Sequence, residues 1–452
     1  MSQSDLPAVS RSDLPTLRIA LLGFGVVGSE VGRLLMTQGE DLAARTGANL
    51  ELIGVAVRSL DEPQVKALKP PNPTTDAAGL ISQADIVVEL MGGIEPARTF
   101  MLKAIEKGAA VVTANKALLA AHGPTLYEAA ADAGVDLFYE AAVGGAIPIV
   151  RGVRVSLAGD KVTRILGIVN GTTNYVLDQM TREHLAFSDA VSQAQRLGFA
   201  EADPTADVEG FDAASKAAIL ASLAFHTRVS IDEVHREGIT AVTQADIEAA
   251  AEGGYVIKLL AIVERVPDGS GSDIGVVARV HPALVPLDHP LASVHGAFNA
   301  VFTESQAAGP LMFYGQGAGG VPTSSAVVGD IVAAARHRLA GQTGPGESAY
   351  TGLKAMPIAV AHTRYQVRLV VADRPGVLAS VATVFAAHRV SIDEVRQTPR
   401  PTPEPFDGPT TLANLVIVTH NAAEADLSAT VADLGELDAV QAVAGVIRVE
   451  GV

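Results

Sequence analysis

A short acidic segment of the chain concentrates residues that could bind and protonate a small substrate. From Leu197 to Lys216 the sequence reads LGFAEADPTADVEGFDAASK, in which five carboxylates accompany a single lysine. The run that begins at Phe211 has the composition of a helix, so Asp212 and Lys216 should lie one turn apart on the same face. Carboxylates that hold a substrate ammonium, together with a lysine that moves a proton, would suit a small zwitterionic substrate.

The predicted helix at Phe211 is unusually apolar for one that carries charges. Apart from Asp212, Ser215, Lys216 and Ser222, its residues FDAASKAAILASLAF are Ala, Ile, Leu and Phe. We therefore expect burial on most sides, where Lys and Asp are seldom found unless they are paired or functional. The alternative is a solvent-exposed ion pair, which would stabilise the helix only slightly.

A second polar cluster, Asn170-Gly-Thr-Thr-Asn174, follows directly on a predicted strand. The Asn-Gly pair alone marks a turn. Two hydroxyls and a second amide at the start of a helix add a dense set of hydrogen-bonding groups, which would suit a substrate carboxylate. We therefore take Asn170, Gly171 and Thr172 as candidate substrate-binding residues.

A glycine-rich turn near the N-terminus predicts a dinucleotide-binding site. The apolar run 17–22 precedes Gly23-Phe-Gly25-Val-Val-Gly28 and a segment of helical periodicity, which is the strand-to-helix setting of the Rossmann fingerprint. Gly23 permits the tight turn, Gly25 lets the backbone approach a pyrophosphate, and Gly28 allows close packing of the helix. The predicted cofactor-binding residues of this turn are Gly23, Phe24, Gly25, Val26, Val27 and Gly28.

The end of the second predicted strand bears on which cofactor is bound. An NAD-specific site would carry Asp or Glu there for the ribose 2′-hydroxyl, whereas this chain has Arg58. A basic residue accommodates a 2′-phosphate, so we expect NADP(H) in preference to NAD(H). NAD(H) is the alternative cofactor. A surface arginine without a ligand is the alternative.

Hydrophobic patterning divides the chain into regions of different character. Apolar strands alternate with helices up to about residue 146, which predicts a parallel sheet covered on both faces. Residues 147–317 have α+β character, and residues 364–452 follow the βαββαβ order of a ferredoxin-like domain. We predict an α/β protein with a flexible tail (1–16), a Rossmann-type dinucleotide-binding domain (17–146 plus about 318–340), an α+β domain (147–317), a linker (341–363) and a ferredoxin-like domain (364–452).

Composition excludes several classes of function. The net charge of −17 offers no basic face for phosphates, which argues against nucleic acid or an anionic membrane as a partner. The chain has no cysteine, so disulfides, thiolate catalysis and Cys-ligated zinc are excluded. The N-terminus lacks the basic start and apolar core of a signal peptide, and no apolar run approaches the roughly 20 residues of a membrane span. We therefore expect a cytoplasmic protein.

The order of the sequence motifs resembles that of the homoserine dehydrogenase family, and the similarity covers nearly all of residues 17–340. That family reduces L-aspartate-4-semialdehyde to L-homoserine with NAD(P)H, or catalyses the reverse oxidation. The motifs that carry the resemblance are GFGVVG (23–28), VVELMGG (87–93), TANKALLA (113–120), EAAVGGAIP (140–148), GIVNGTTN (167–174), the acidic segment (197–216) and GAGGVPTSSAVVGD (317–330).

The resemblance makes residues 147–317 the catalytic and dimerisation domain, and it implies roles for individual residues. It makes Lys116 and Lys216 the essential lysines, and it places the substrate-binding acids at Glu201, Asp207 and Asp212. Asp212 would hold Lys216, which donates a proton to the forming alkoxide. Further cofactor contacts are implied for Gly92, Lys116 and Gly320. The resemblance also implies a monovalent cation, Na⁺ or K⁺, bound by the loop that contains Glu140, Val143, Gly145 and Ile147. A turn with a purely structural role is the alternative for this loop.

The C-terminal region resembles an ACT domain, a module that binds amino acids where two such domains pair. The matching residues are Asp373-Arg-Pro-Gly376-Val-Leu, and the resemblance implies that Asp373 and Gly376 contact an amino-acid effector such as L-threonine. The Pro-rich insertion 399–409 leaves the effector geometry open, and a domain used only for assembly is the alternative. We expect a homodimer or homotetramer. We also expect that a chain cut after Ala340 keeps its catalytic activity and loses inhibition by the effector.

Two other readings of the whole chain follow from the same motifs. An amino-acid or nucleotide sensor of this fold would lack turnover, but Lys116, Lys216 and the intact carboxylates argue against it. A semialdehyde dehydrogenase that forms an acyl phosphate would need a nucleophilic cysteine, which is absent.

Overall fold

The computed structural model describes residues 13–400 and 411–451. Most of the predicted tail and most of the Pro-rich insertion lie outside these residues. The chain forms two compact units, each assembled from separate stretches of sequence. The first contains the chain up to Thr163, Ser215–Ile231 and Phe298–Gly352; the second contains Arg164–Ala214, Asp232–Ala297 and Leu353–Val452.

The first part of the chain builds a six-stranded parallel sheet in the order β3-β2-β1-β4-β5-β6. Strands β4 and β5 are buried along their whole length, as continuous apolar runs between two helical layers require. The predicted Rossmann-type fold is confirmed. In chain order the elements are β1 (Thr16–Leu22), α1 (Val26–Thr37), α2 (Gly39–Thr46), β2 (Asn49–Ala56), α3 (Pro63–Leu68), β3 (Pro73–Thr74), α4 (Ala77–Ile81), β4 (Ile86–Glu89), α5 (Ala97–Glu106), β5 (Ala110–Thr113), α6 (Lys116–Ala133), β6 (Leu137–Phe138) and α7 (Ile149–Arg151).

The rest of the chain continues with mixed helices and longer strands. The order of its last elements is the predicted βαββαβ, apart from one two-residue strand. These elements are β7 (Val162–Ile168), α8 (Gly171–Arg182), α9 (Phe187–Arg196), α10 (Thr205–Val208), α11 (Phe211–Phe225), β8 (His235–Arg236), α12 (Gln244–Glu252), β9 (Tyr255–Pro267), β10 (Asp273–Pro286), β11 (Phe298–Ser305), β12 (Gly309–Gln316), α13 (Gly320–Ala340), β13 (Lys354–Ala355), β14 (His362–Ala372), α14 (Val377–Ala387), β15 (Ile392–Pro399), β16 (Leu412–Thr419), β17 (Ala422–Ala423), α15 (Glu424–Gly435) and β18 (Val440–Val449).

The second unit is organised by one continuous sheet in which the strand order is β7-β9-β10-β18-β14-β16-β15. The final strand, β18, pairs in parallel with β10 at Ala283 and Leu284 and antiparallel with β14. The ferredoxin-like domain therefore shares a sheet with strands of the predicted catalytic region, and does not form a sheet of its own.

The segment 309–316 differs from its predicted structure. The glycine-rich segment 309–329 predicts a loop that leads into a helix at Asp330, but Gly309–Gln316 is strand β12, which forms an antiparallel hairpin with β11 in the first unit. Gly309, with a φ of 69°, begins the strand at the hairpin turn, so this glycine serves the turn and does not break the strand. Helix α13 begins at Gly320, ten residues before the predicted start, and its apolar face packs against the core of the parallel sheet.

No helix among the described residues combines the length and apolar composition needed to cross a membrane.

Candidate active site

The glycine turn of the first unit has the geometry that a pyrophosphate requires. Gly23 has a φ of 94°, and a Cβ on Gly28 would lie 2.2 Å from the carbonyl oxygen of Gly23. A Cβ on Gly25, by contrast, would meet nothing within 4 Å, so open space lies at the N-terminus of α1. An anion fits there, against free backbone N–H groups and the positive end of the helix dipole.

The other predicted residues of the turn take different positions. Phe24 is 1 % exposed and belongs to the apolar core of the sheet, which leaves only its backbone for a cofactor. Val26 is exposed, Val27 is half-buried, and a Cβ on Gly320 would lie 2.9 Å from the carbonyl oxygen of Val26. The start of α13 therefore lies against the glycine turn. Arg58 is exposed just beyond the end of β2.

A buried network that the sequence interpretation missed connects the ends of β4 and β5. Glu89 is fully buried; one carboxylate oxygen accepts hydrogen bonds from the N–H groups of Met91 (2.8 Å) and Gly92 (3.3 Å). Its other oxygen accepts from Thr113 Oγ1 at 2.7 Å. The sequence could have indicated this network, because a carboxylate ends the apolar strand IVVE and a buried charge is costly unless it has hydrogen-bonding partners.

The same network continues to Lys116. The Asn115 side chain donates to the Gly93 carbonyl oxygen (2.7 Å) and accepts from the Leu118 N–H (3.1 Å), so it caps α6. Lys116 is the first residue of that helix and is exposed. The predicted cofactor residues Gly92 and Lys116 thus lie in the segments that follow β4 and β5, which one hydrogen-bond network holds together.

The loop predicted to hold a cation is fixed by two buried carboxylates. The Glu140 side chain accepts from the backbone N–H groups of Val150 (2.8 Å) and Arg151 (2.9 Å). Asp330 accepts from the Glu140 N–H at 2.8 Å and pairs with the Arg151 guanidinium. Burial raises the pKa of Asp330 to about 7 against the opposing effect of Arg151, and burial also raises the pKa of Glu140.

The Glu140 carboxylate is thus engaged with backbone donors, so a cation in this loop would be bound by backbone carbonyl oxygens. Gly145 has a φ of 58°, and a Cβ there would lie 2.4 Å from the Gly317 carbonyl oxygen. Val143 and Ile147 are buried on either side of it. Across residues 13–400 and 411–451, no group of three or more His, Cys, Asp or Glu side chains is placed to hold a metal ion.

In the second unit, a single amide joins two of the predicted substrate-binding acids. The Asn170 Nδ2 atom donates to Asp207 Oδ1 at 2.7 Å and to Asp212 Oδ2 at 2.9 Å. Its Oδ1 atom accepts from the Thr173 N–H at 2.8 Å and so caps α8. The structure therefore brings together Asn170, Asp207 and Asp212, two carboxylates next to a helix N-terminus. This arrangement offers negative charge to an ammonium and backbone N–H groups to a carboxylate.

The remaining predicted substrate residues lie around this cluster. Gly171 is the first residue of α8, and Thr172 Oγ1 donates to the Phe199 carbonyl oxygen at 2.6 Å. Thr172 thereby ties the start of α8 to the acidic segment. Glu201 is exposed, and its carboxylate makes no hydrogen bond or ion pair with another described residue.

Helix α11 is buried where the sequence places its two charges. Asp212 is 8 % exposed and Lys216, one helical turn later, is 7 % exposed. The alternative of a solvent-exposed ion pair is therefore wrong. A buried lysine within an Ala-rich helix is a candidate proton donor or acceptor because burial and neighbouring charges control its protonation.

A second buried lysine, which sequence interpretation also missed, lies behind the NGTTN turn. Lys258 is fully buried, and its Nζ atom donates to the Val294 carbonyl oxygen (2.6 Å) and to Asn174 Oδ1 (3.1 Å). Burial lowers the pKa of Lys258 to about 8, and the charge of Asp178 opposes this shift. Lys258 lies on β9 and so connects this strand to the first turn of α8.

We expect Lys258→Met to change how stability depends on pH. The pKa of Lys258 is about 8 in the folded protein and that of a lysine in an unfolded chain is about 10.4. Between these values the unfolded state binds more protons, so Lys258 should make the wild-type protein more stable as pH rises from about 8 to 10.4. The variant should lack this rise in stability, and urea unfolding at several pH values between about 8 and 10.4 measures the difference. Lys107→Met, at an exposed position, is the control, and an unchanged slope in Lys258→Met would contradict the prediction.

Known proteins resemble this chain over almost its whole length. Family models match residues 23–140 (homoserine dehydrogenase, NAD binding domain), 148–332 (homoserine dehydrogenase) and 365–439 (ACT domain). The homoserine dehydrogenase of Mycobacterium tuberculosis is 54% identical over 438 residues, which cover 96% of this chain and 97% of that protein. The one from Corynebacterium glutamicum is 51% identical over 434 residues, with 96% and 95% covered.

Solved structures give the same result. A homoserine dehydrogenase from Thiobacillus denitrificans matches with a TM-score of 0.88 at 37% identity, covering 97% of this chain and 99% of that one. A hyperthermophilic archaeal homoserine dehydrogenase in complex with NADPH matches with a TM-score of 0.61 at 26% identity, covering 74% and 99%. The chain therefore belongs to the homoserine dehydrogenase family and is an NAD(P)-binding oxidoreductase that acts on a CH–OH group and carries an ACT domain.

Proposed function

We propose that this protein interconverts L-aspartate-4-semialdehyde and L-homoserine, in the biosynthesis of threonine, methionine and isoleucine. The observation that carries the proposal is the cluster in which Asn170 joins Asp207 to Asp212. Two carboxylates held by one amide favour a ligand with an ammonium group, and the adjacent start of α8 favours one with a carboxylate. An α-amino acid carries both groups.

We assign the following roles. Asp207 and Asp212 hold the ammonium, with Glu201 as a further acid, while the N–H groups of Gly171 and Thr172 receive the carboxylate. Lys216 donates a proton to the carbonyl oxygen as it becomes an alkoxide, and removes that proton in the reverse direction. When bound, the nicotinamide cofactor supplies or accepts the hydride. The exposed Lys116, at the start of α6, is the second essential lysine and a contact of the cofactor.

The experiment that tests this proposal compares substrates that differ in charge. The purified protein should oxidise L-homoserine with NADP⁺, followed by nicotinamide absorbance, and should not measurably oxidise N-acetyl-L-homoserine, which lacks the ammonium. Asp207→Asn should raise the KM for L-homoserine at least about tenfold, because a hydrogen bond to a charged group contributes about 1.5–3 kcal/mol and the variant lacks that charge. Equal turnover of the two substrates would refute the assigned role of the acids.

We further propose that Arg58 selects NADP(H). Its position after β2 is where a basic side chain meets a ribose 2′-phosphate, and a related archaeal enzyme has been solved with NADPH. Arg58→Asp should raise the KM for NADPH at least about tenfold, since one charge-assisted contact is lost, while the KM for NADH stays close to wild type. Similar changes for both cofactors would mean that Arg58 does not read the phosphate.

The loop at Glu140, Val143, Gly145 and Ile147 is the proposed place for Na⁺ or K⁺. Backbone carbonyl oxygens suit such hard cations, and the buried Glu140 and Asp330 side chains fix the loop. Activity in chloride salts of Na⁺, K⁺ and choline at equal ionic strength tests this proposal. Equal rates in all three would favour a purely structural turn.

For the ACT domain we propose an amino-acid effector, with L-threonine the first to test. Asp373 accepts from Gln397 Nε2 at 3.0 Å, and Gly376, with a φ of 92°, precedes α14. Asp373→Ala should weaken inhibition in a threonine titration and leave kcat unchanged. Because ACT domains that bind ligands do so in pairs, we also propose a homodimer or homotetramer. A response to no amino acid would indicate a domain used for assembly alone.

A further inference from the structure

We propose that the C-terminal domain supports the substrate site directly: Arg448 on β18 and Glu237 hold the short segment 235–240, which in turn positions the turn that carries Asp207. This inference rests on the proposed role of Asp207 in substrate binding. It makes Glu237 and Arg448 positioning residues, and it gives a physical route by which an event in the ACT domain reaches the substrate.

The turn that carries Asp207 is held by the segment 235–240. Helix α10 is a single turn, Thr205–Val208, too short to be stable without tertiary contacts. The N–H of Ile239 donates to the Val208 carbonyl oxygen at 2.8 Å, and Thr240 Oγ1 donates to Glu209 Oε1 at 3.0 Å. The first of these contacts joins backbone to backbone, so it holds the turn itself against the segment.

Two further contacts tighten this attachment. A Cβ on Gly238 would lie 2.4 Å from the Val208 carbonyl oxygen, so the two backbones are packed against each other without space for a side chain. The Arg236 guanidinium lies 3.6 Å from the centroid of the Phe211 ring and donates to the Glu209 carbonyl oxygen. A displacement of the segment 235–240 must therefore displace the turn as well.

Glu237 connects this segment to the C-terminal domain. Its carboxylate lies 2.9 Å from Arg448 Nη1 and 2.8 Å from His235 Nε2. Its backbone N–H donates to the Val280 carbonyl oxygen on β10 at 2.7 Å. Although burial alone would raise it, the hydrogen bonds from His235 and Arg448 lower the pKa of Glu237 to about 2, so the carboxylate is charged at neutral pH.

Arg448 is itself held firmly on the side of the ACT domain. Its Nη2 atom lies 2.5 Å from Glu424 Oε1, and that oxygen also accepts from the Tyr365 hydroxyl at 2.7 Å. Glu424 is 3 % exposed, and Arg448 lies 5.7 Å from the centroid of the Tyr365 ring. The guanidinium thus bridges a buried carboxylate of the ACT domain and a carboxylate of the segment that holds Asp207.

Spatial continuity does not by itself demonstrate energetic coupling, so the test needs a matched ion pair elsewhere. Arg368 on β14 pairs with the buried Asp246 on α12, which also joins the ACT domain to the predicted catalytic region, and neither side chain makes a hydrogen bond or ion pair with the described segment 235–240. Arg448→Met and Arg368→Met each leave one buried carboxylate without its partner. They should therefore lose comparable thermal stability.

The two variants should differ in kinetics. Arg448→Met should raise the KM for L-homoserine at least about tenfold with little change in kcat or in the KM for the cofactor, and Arg448→Lys should recover part of this loss. Arg368→Met should keep wild-type kinetics. Equal increases in both variants, or none in Arg448→Met, would overturn the inference.

Two more variants make the outcome decisive. If Arg448→Met does not fold, Glu237→Gln weakens the same contact at a partly exposed side chain and should raise the same KM. Where both fold, the double variant should be less than additive, because both changes act on one contact. Asp207→Asn distinguishes the role of Asp207 from the role of Glu237 and Arg448. If Asp207→Asn leaves the KM for L-homoserine unchanged, the proposed role of Asp207 fails. If Asp207→Asn raises this KM but Glu237→Gln has wild-type kinetics, only the positioning role of Glu237 and Arg448 is overturned.

Discussion

Replacing Lys216 with alanine is expected to lower kcat by about 10²- to 10⁴-fold, the usual loss when a general acid or base is removed. Lys216 is buried on α11, one turn after Asp212, whose carboxylate accepts a hydrogen bond from the Asn170 amide. The fold should survive because most of the other residues of α11 are apolar. Steady-state rates with L-homoserine and NADP⁺ measure kcat, and fluorescence titration with the cofactor measures its affinity, which should stay close to that of the wild-type protein.

Lys216→Arg is the matched control for charge. An arginine keeps the positive charge but holds its proton at any accessible pH, so it should restore little of kcat if proton transfer is the function of Lys216. Recovery of wild-type kcat in Lys216→Arg would instead assign the residue an electrostatic role. Activity of Lys216→Ala within a few-fold of wild type would refute both assignments.

Ending the chain after Ala340 is expected to prevent the second unit from folding. The sequence suggested a separable sensor, but the structure argues against that expectation. Arg279 on β10 is fully buried and pairs with Glu264 at 2.5 Å and Glu450 at 3.1 Å. Removal of one partner of a buried ion pair costs about 3–5 kcal/mol, a large part of a typical stability of about 5–15 kcal/mol. Truncation would also expose the edge of β10 where β18 pairs with it.

Circular dichroism and soluble yield of the truncated chain measure this effect. Glu450→Gln in the full-length chain isolates the ion pair and should lower Tm markedly, whereas Glu436→Gln, at an exposed position, should not. A truncated chain that folds and turns over L-homoserine would show that the catalytic region does not depend on the shared sheet.

The sequence was most informative where one short motif determines the local geometry. The glycines at 23, 25 and 28 predicted the turn that they form. A side chain at Gly23 or Gly28 would collide with nearby backbone, and the absence of one at Gly25 leaves space for a ligand. Alternating apolar strands and helices predicted the parallel sheet, and the acids at 207 and 212 were found by their density. These features depend on neighbours within one or two elements of the chain.

Features that depend on distant partners could not be predicted in the same way. Lys258 reads as part of an apolar strand, and only the fold brings it to Asn174 and the Val294 carbonyl oxygen. The βαββαβ order of the C-terminal region was predicted correctly, but nothing in that order indicates that β18 pairs with β10. Pairing of strands from separate regions depends on which edges meet, and side-chain patterns specify faces more clearly than edges.

The position of β18 also constrains how the protein can be made. Domains of a growing polypeptide usually fold in order from the N-terminus as they leave the ribosome. The sheet of the second unit, however, receives a central strand from Val440–Val449, which follows its neighbours β10 and β14 in sequence. One edge of β10 and one edge of β14 must therefore remain unpaired until Val440–Val449 has been synthesised. A nascent chain that stops before Val440 would leave both edges exposed, so this sheet would be complete only in chains that extend through β18.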